Sequence, residues 1–173
     1  MDKLELFLSK DDINKIVSNL AQKISFDYKN KEDLIIIGIL KGSFMFLADF
    51  VRYLNMPVKI DFIGVSSYGS SFDSSENIKL TKPLQLDVKN KNVLILEDIA
   101  DTGLTLLYIA NYLKSFGAKT VKLCALLDKK ERRKINLELD YVGYLVKEGF
   151  LVGYGLDYAE KYRYLPEIYN LHL

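Results

Sequence analysis

The sequence predicts an α/β fold, a mainly parallel central sheet flanked by helices. Three observations predict it. Apolar runs rich in β-branched residues recur at 34–40, 93–96 and 120–127, and unbroken apolar runs of this kind mark strands buried on both faces. Between them, apolar residues fall at helical spacing: Ile13, Ile16, Val17, Leu20 and Ile24, then Phe46, Leu47, Phe50 and Leu54, then Leu106, Leu107, Ile109, Ala110 and Leu113. The junctions from strand to helix are short. This alternation implies βαβ units joined by right-handed crossovers.

In chain order, Ser9-Lys10-Asp11-Asp12 caps the first helix with an acidic first turn. The strand at 34–40 meets a tight junction, Lys41-Gly42-Ser43, and a helix from Phe44 to Leu54 follows. Pro57 opens the strand 58–65. Residues 66–79 are rich in Ser and Gly and carry two aromatics, Tyr68 and Phe72. A loop of that length inside a compact domain is a functional lid or an idle exposed segment. Leu84 and Leu86 suggest a return strand, and residues 89–92 a turn. The strand at 93–96 runs into an acidic loop, and the helix after it stops at Gly117. A strand at 120–127 precedes a charged run at 128–134, of which Lys129 to Lys134 reads as a solvated helix face. The aromatic tail leaves the alternation. It is expected to form a small hood over the carboxyl edge of the sheet, mainly from residues 141–173 with the N-terminus. No repeat or linker divides residues 1–173, so a single domain is expected.

Composition narrows the function. The chain has 173 residues, 49% apolar and 27% charged, with a formal net charge of +1. No global field recruits nucleic acid or a membrane surface. Cys124 sits in an apolar run and reads as a core residue. The only histidine is His172, so a triad built on an internal histidine is excluded unless the C-terminus folds back. The start lacks an apolar signal region and no apolar run is long enough to span a bilayer, so a cytoplasmic protein is expected.

The informative stretch is Leu96-Glu97-Asp98-Ile99-Ala100-Asp101-Thr102-Gly103-Leu104-Thr105. Thr102, Gly103 and Thr105 at a helix start can wrap N–H groups and hydroxyls around a phosphate. No lysine completes the loop. Instead Glu97 and Asp98 stand upstream, with Asp101 one step into the turn. Carboxylates beside a phosphate repel it unless Mg²⁺ or sugar hydroxyls intervene. The loop suits a sugar phosphate with free hydroxyls and a metal. A helix cap would account for Asp101 or Thr102, but not for two adjacent acids ending a buried strand. Lys41-Gly42-Ser43 ends another strand in the same way; its amides and Lys41 suit a diphosphate, or form a plain turn.

The stretch 96–105 resembles the phosphoribosyl-pyrophosphate (PRPP) motif of type I phosphoribosyltransferases. Leu40-Lys41-Gly42, the Lys129 that follows a strand, and Phe150-Leu151-Val152-Gly153-Tyr154-Gly155-Leu156-Asp157-Tyr158 are similar to the hypoxanthine-guanine branch. The resemblance implies the type I phosphoribosyltransferase fold. It also implies transfer of a 5-phosphoribosyl group from PRPP to N9 of hypoxanthine or guanine, giving IMP or GMP plus pyrophosphate, with Mg²⁺. Residues 101–105 would hold the 5′-phosphate, Leu104 among them. Glu97 and Asp98 would hold ribose hydroxyls and a metal, and Asp101 would act as general acid/base. Lys41, Gly42 and Arg163 would bind pyrophosphate, with a cis bond between Leu40 and Lys41. Lys129 would donate to O6 of the purine, Phe150 would stack on it, and the Leu151 backbone would read its edge. Asp157 would hold Mg²⁺ through waters, Ser67 and Tyr68 would belong to a mobile lid, and Arg133 would support the central loop. Without the resemblance, residues 150–152 read as a core strand. Two departures stand out: Ala100 replaces a bulky aliphatic, and Asp128 stands where an aliphatic or polar residue is common. The family implies a homo-oligomer, dimer or tetramer, with no nucleic acid or membrane partner. The competing readings are a xanthine-preferring enzyme and a non-catalytic PRPP-sensing regulator.

Overall fold

The computed structural model describes residues 3–30, 33–67 and 78–172. Among them, six strands form the main sheet in the order β4-β3-β2-β5-β6-β7. These are β2 (Leu34–Leu40), β3 (Lys59–Ser67), β4 (Ile78–Lys82), β5 (Asn92–Ala100), β6 (Thr120–Lys129) and β7 (Tyr141–Val146). Every neighbouring pair is parallel except β3 with β4. The mainly parallel sheet expected from the apolar runs is present.

Two helices cover one face and one covers the other. Even-numbered residues of β2 and β5 (Leu34, Ile36, Leu94, Leu96) pack with α1 (Lys10–Tyr28) and α2 (Phe44–Tyr53). Odd-numbered residues (Ile35, Ile37, Val93, Ile95) pack with α3 (Leu104–Ser115). This is the period-2 alternation of a strand, with both faces apolar. Burying one such side chain contributes about 1.5–3 kcal/mol, more than an exposed ion pair at about 0–1 kcal/mol. The core therefore sets the fold, and the polar strand ends are left for other work. No helix among the described residues is long and apolar enough to cross a membrane.

The hood is a second, antiparallel sheet, β1-β9-β8, made of Lys3–Leu8, Ile168–His172 and Leu151–Val152. It differs from expectation in two ways. Residues 141–146 are not hood but β7, paired in parallel with β6; its glycine and its exposed Tyr144 and Leu145 blurred the strand pattern. β1, absent from the expected elements, supplies the N-terminal part. Its Leu4, Leu6 and Leu8 alternate, and that signal was legible. Tyr154 ties the hood to α2 by donating its hydroxyl to Asp49 at 2.8 Å.

Two further expectations fail locally. The return strand lies at 78–82 rather than at Leu84 and Leu86. Pro83 has no N–H and ends the ladder, and the amides of Gln85 and Leu86 donate instead to Asp61 Oδ2 at 2.6 and 2.9 Å. The charged run 128–134 does not form a solvated helix face. β6 continues through Lys129 because β7 pairs with it there, and a turn follows.

Candidate active site

Three adjacent parallel strands end on the same edge. β2 delivers Lys41 and Gly42, β5 delivers Glu97 and Asp98, and β6 delivers Lys129. The carboxyl edge of a parallel sheet is where open α/β folds bind ligands. The hood then lowers Phe150, Leu151, Asp157 and Arg163 onto it. All of these except Glu97 line one cavity of about 300 Å³, with Asp101 in its wall. A neighbouring cradle of about 90 Å³ is lined by Glu97, Asp101, Thr102, Gly103 and Thr105. A larger hollow of about 730 Å³ lies beyond Asp128 and Arg133. It contains neither Glu97 nor Asp98 and is set aside as the reaction site.

The local backbone explains the cradle. Gly103 is the N-cap of α3 with φ +84°, a left-handed conformation that glycine accepts at no steric cost. The first intrahelical bond runs from the Leu107 amide to the Gly103 carbonyl, so the preceding amides have no helical acceptor. The N-cap residue has no side chain to cap the helix. Of the two cap candidates in the sequence, Thr102 makes one long contact, its Oγ1 accepting from the Leu104 amide at 3.4 Å, and Asp101 makes none. Ala100, the small residue in this loop, is 1% exposed and belongs to the apolar cluster on the α3 side that includes Leu106 and Ile109.

Glu97 and Asp98 are both buried. Burial first, and then the neighbouring Asp98 charge, push the Glu97 carboxyl well above its ordinary range. Burial raises Asp98 too, against hydrogen bonds from Glu97 and from the Ile99 amide at 2.9 Å. Two carboxyls so close share a proton rather than both ionising. Such a pair can accept hydrogen bonds from a diol. Among the described residues no three acidic, His or Cys groups converge on a point. The expected metal set Glu97, Asp98 and Asp157 is therefore not a protein cage. Glu97 faces the small cradle, while Asp98 and Asp157 share the larger cavity.

The cations lie opposite. The Leu40–Lys41 peptide is cis. Lys41 Nζ pairs with Glu160 at 3.0 Å. Arg163 pairs with Asp157 at 2.7 Å and donates to the Gly155 carbonyl at 2.7 Å. Its Nε is buried with no protein partner. Asp157 also accepts from the Glu160 amide at 2.9 Å. Asp101 Oδ1 is a second buried atom without a partner, while Arg132 Nη1 stands 3.5 Å from Oδ2.

Lys129 is buried, with Nζ donating to the Gly149 carbonyl at 2.7 Å and 3.3 Å from Glu131. Phe150 is 42% exposed, so its ring is not consumed by the core. Tyr158 stands edge-on to it at 5.5 Å between centroids. Leu151 is buried in β8 and pairs with Asn170. Ser67 ends β3 with its backbone paired to Ile78; Tyr68 lies outside the described residues. Sequence reasoning missed Glu160, whose link to Lys41 spans 119 positions and leaves no local pattern.

Carboxylates, helix-start amides and cations thus surround two neighbouring cavities that share Ile99 and Asp101. Comparison with known proteins gives the family. The family model of the phosphoribosyl transferase domain matches residues 7–159, and the chain belongs to that family. It is 47% identical over 167 residues to the hypoxanthine-guanine phosphoribosyltransferase of Aquifex aeolicus, covering 96% of this chain and 94% of that one. It is 42% identical to the protein of the same name from Bacillus subtilis, covering 95% and 91%. A crystal structure of a hypoxanthine phosphoribosyltransferase from Staphylococcus aureus superposes with a TM-score of 0.92 at 41% identity, covering 97% of this chain and 91% of that one.

Proposed function

We infer that the chain is a purine-salvage enzyme that transfers the 5-phosphoribosyl group of PRPP to N9 of hypoxanthine or guanine, yielding IMP or GMP and pyrophosphate. One observation carries this reading. Asp101 lines both the about 300 Å³ cavity with Lys129, Phe150 and Arg163 and the about 90 Å³ phosphate-sized cradle. The acid thus stands where a base in one chamber would meet a sugar anchored in the other. The names of the relatives support the same substrates.

In this reading, residues 101–105 grip the 5′-phosphate through N–H groups and the hydroxyls of Thr102 and Thr105. Glu97 and Asp98 accept hydrogen bonds from the ribose hydroxyls. Lys41, the Gly42 backbone and Arg163 bind pyrophosphate; the partnerless Arg163 Nε is a donor ready for an anion. Lys129 donates to O6 of the purine, which a 6-amino group cannot accept, so adenine is rejected. Phe150 stacks on the base, for about 1–3 kcal/mol, and the Leu151 backbone reads its edge. Asp101 holds or accepts the proton at N7 as the C1′–N9 bond forms.

Mg²⁺ fits the donor set. Asp98 and Asp157 offer hard oxygens in one cavity, and Mg²⁺ commonly uses one or two carboxylates, completing its shell with waters and phosphate oxygens. Bound there, it would offset charge on the departing pyrophosphate. A homo-oligomer, dimer or tetramer, in the cytoplasm completes the reading, with light scattering testing the assembly. The test of the activity is chromatography after incubation with PRPP, MgCl₂ and hypoxanthine. One IMP and one pyrophosphate per hypoxanthine consumed is the expected result; intact hypoxanthine beside intact PRPP contradicts it.

A further inference from the structure

Arg133 turns two of its three guanidinium nitrogens to the loop that carries Asp101. Nε donates to the Asp101 carbonyl at 2.8 Å, Nη2 to the Ala100 carbonyl at 3.0 Å, and Nη1 to the Leu137 carbonyl at 3.2 Å. Nη2 also meets the carboxylate of Asp128, which is 3% exposed. The next residue adds a third link to the loop: the Lys134 amide donates to the Thr102 carbonyl at 3.1 Å. The carbonyls of three consecutive residues, 100 to 102, are thus all held from residues 133 and 134.

Peptide planarity turns this into a statement about donors. In a trans peptide the N–H of the next residue points opposite to the carbonyl. Carbonyls drawn toward Arg133 and Lys134 therefore aim the amides of Asp101, Thr102 and Gly103 the other way, and residues 99–103 line the about 90 Å³ cradle. We propose that Arg133, its charge balanced by Asp128, is a positioning residue that sets these amides for the phosphate of the sugar substrate. Asp128 is then a partner for the clamp and not a contact to the base. The pair is buried, so breaking it leaves an uncompensated charge, and a fork of donors cannot be replaced by the point charge of lysine. The inference rests on the phosphoribosyl-transfer reading for its ligand, but its geometry can be read without that ligand.

The test uses the full chain as wild type, Arg133→Lys and Arg133→Ala, with two readouts. The first is steady-state kinetics. The clamp predicts that KM for PRPP rises on the order of 10- to 100-fold in both variants, the range of a lost charged hydrogen bond, while KM for the purine rises far less, because Lys129, Phe150 and Leu151 are held by other elements and only Asp101 is shared. Millimolar guanidinium should restore PRPP affinity saturably in Arg133→Ala, and sodium chloride at equal ionic strength should not. The about 730 Å³ hollow bordering Asp128 and Arg133 gives the ion a way in. The second readout is the ¹H–¹⁵N spectrum of Asp101, Thr102 and Gly103 without substrate. The clamp predicts sharp, single resonances in wild type that shift or multiply in Arg133→Lys, with the rest of the spectrum unchanged. Unchanged loop amides in Arg133→Lys overturn the proposal, as do equal losses of PRPP and purine affinity. If wild type fails to turn over PRPP, the substrate reading fails, and the loop amides still judge the clamp.

Discussion

Gly42 lies against Asp98 across the ends of β2 and β5: a Cβ on Gly42 would stand 1.8 Å from Asp98 Oδ2. No side chain tolerates that distance, so any residue larger than glycine displaces the carboxylate. Asp98 would lose its bond to the Ile99 amide and its place beside Glu97. Misplacing a positioning group by about 1 Å can cost ~100-fold in rate. Gly42→Ala is expected to lower kcat/KM for PRPP on that order. Far-ultraviolet circular dichroism measured beside the kinetics should show an intact fold.

Lys129 is expected to govern the base and not the sugar. Its ammonium, fixed by Gly149 O at 2.7 Å, is a charged donor in the wall of the proposed base cavity. Lys129→Ala should reduce kcat/KM for hypoxanthine by about 10- to 100-fold and leave KM for PRPP within a factor of about two. Equal damage to both substrates would make Lys129 a structural residue.

Glu160 pairs with both cations proposed to bind pyrophosphate, Lys41 at 3.0 Å and Arg163 at 3.4 Å. Hydrogen bonds from Lys41 and then Arg163 keep its carboxyl below the ordinary range, so it is ionised at neutral pH and competes with an incoming diphosphate. Glu160→Gln is expected to lower KM for PRPP severalfold. Exposed ion pairs contribute little to stability, so the melting temperature should barely move.

Asp61 fastens the segment after Pro83. Burial opposes its charge, but donors from Leu86, Gln85, Phe62 and Lys82 outweigh it and hold the carboxyl below its ordinary value of 3.8. A depressed carboxylate stabilises the fold above the unfolded value, and the contribution fades as pH falls through the folded value. Asp61→Asn should cost about 2 kcal/mol at neutral pH. The gap to wild type in urea unfolding should narrow below about pH 3.8. A gap that is constant with pH would contradict the assignment.

What was legible in the sequence was what depends on local pattern. β2, β5 and β6 declared themselves because both their faces are buried, and the acids at 97 and 98 stood out because they end such a strand. The elements that escaped depend on distant partners. β7 is a strand because it pairs with residues 124–129 of β6, a partnership that its own sequence does not display. Arg133 reads locally as one more charge in a solvated run; only the family resemblance pointed it at the central loop, and nothing local says that carbonyls 100 and 101 lie within reach. Phe150 is the reverse case: its apolar neighbours suggested core, and only the hood's geometry leaves its ring open to the cavity.

The most direct test of the central claim is an ultraviolet assay with PRPP and Mg²⁺, offering hypoxanthine, guanine, xanthine and adenine separately to wild type and to Asp101→Asn. The account predicts turnover of hypoxanthine or guanine, none of adenine, and a loss of about 10²- to 10⁴-fold in the variant, the range for a general acid/base. PRPP bound by wild type with no base consumed, or full activity in Asp101→Asn, would contradict it.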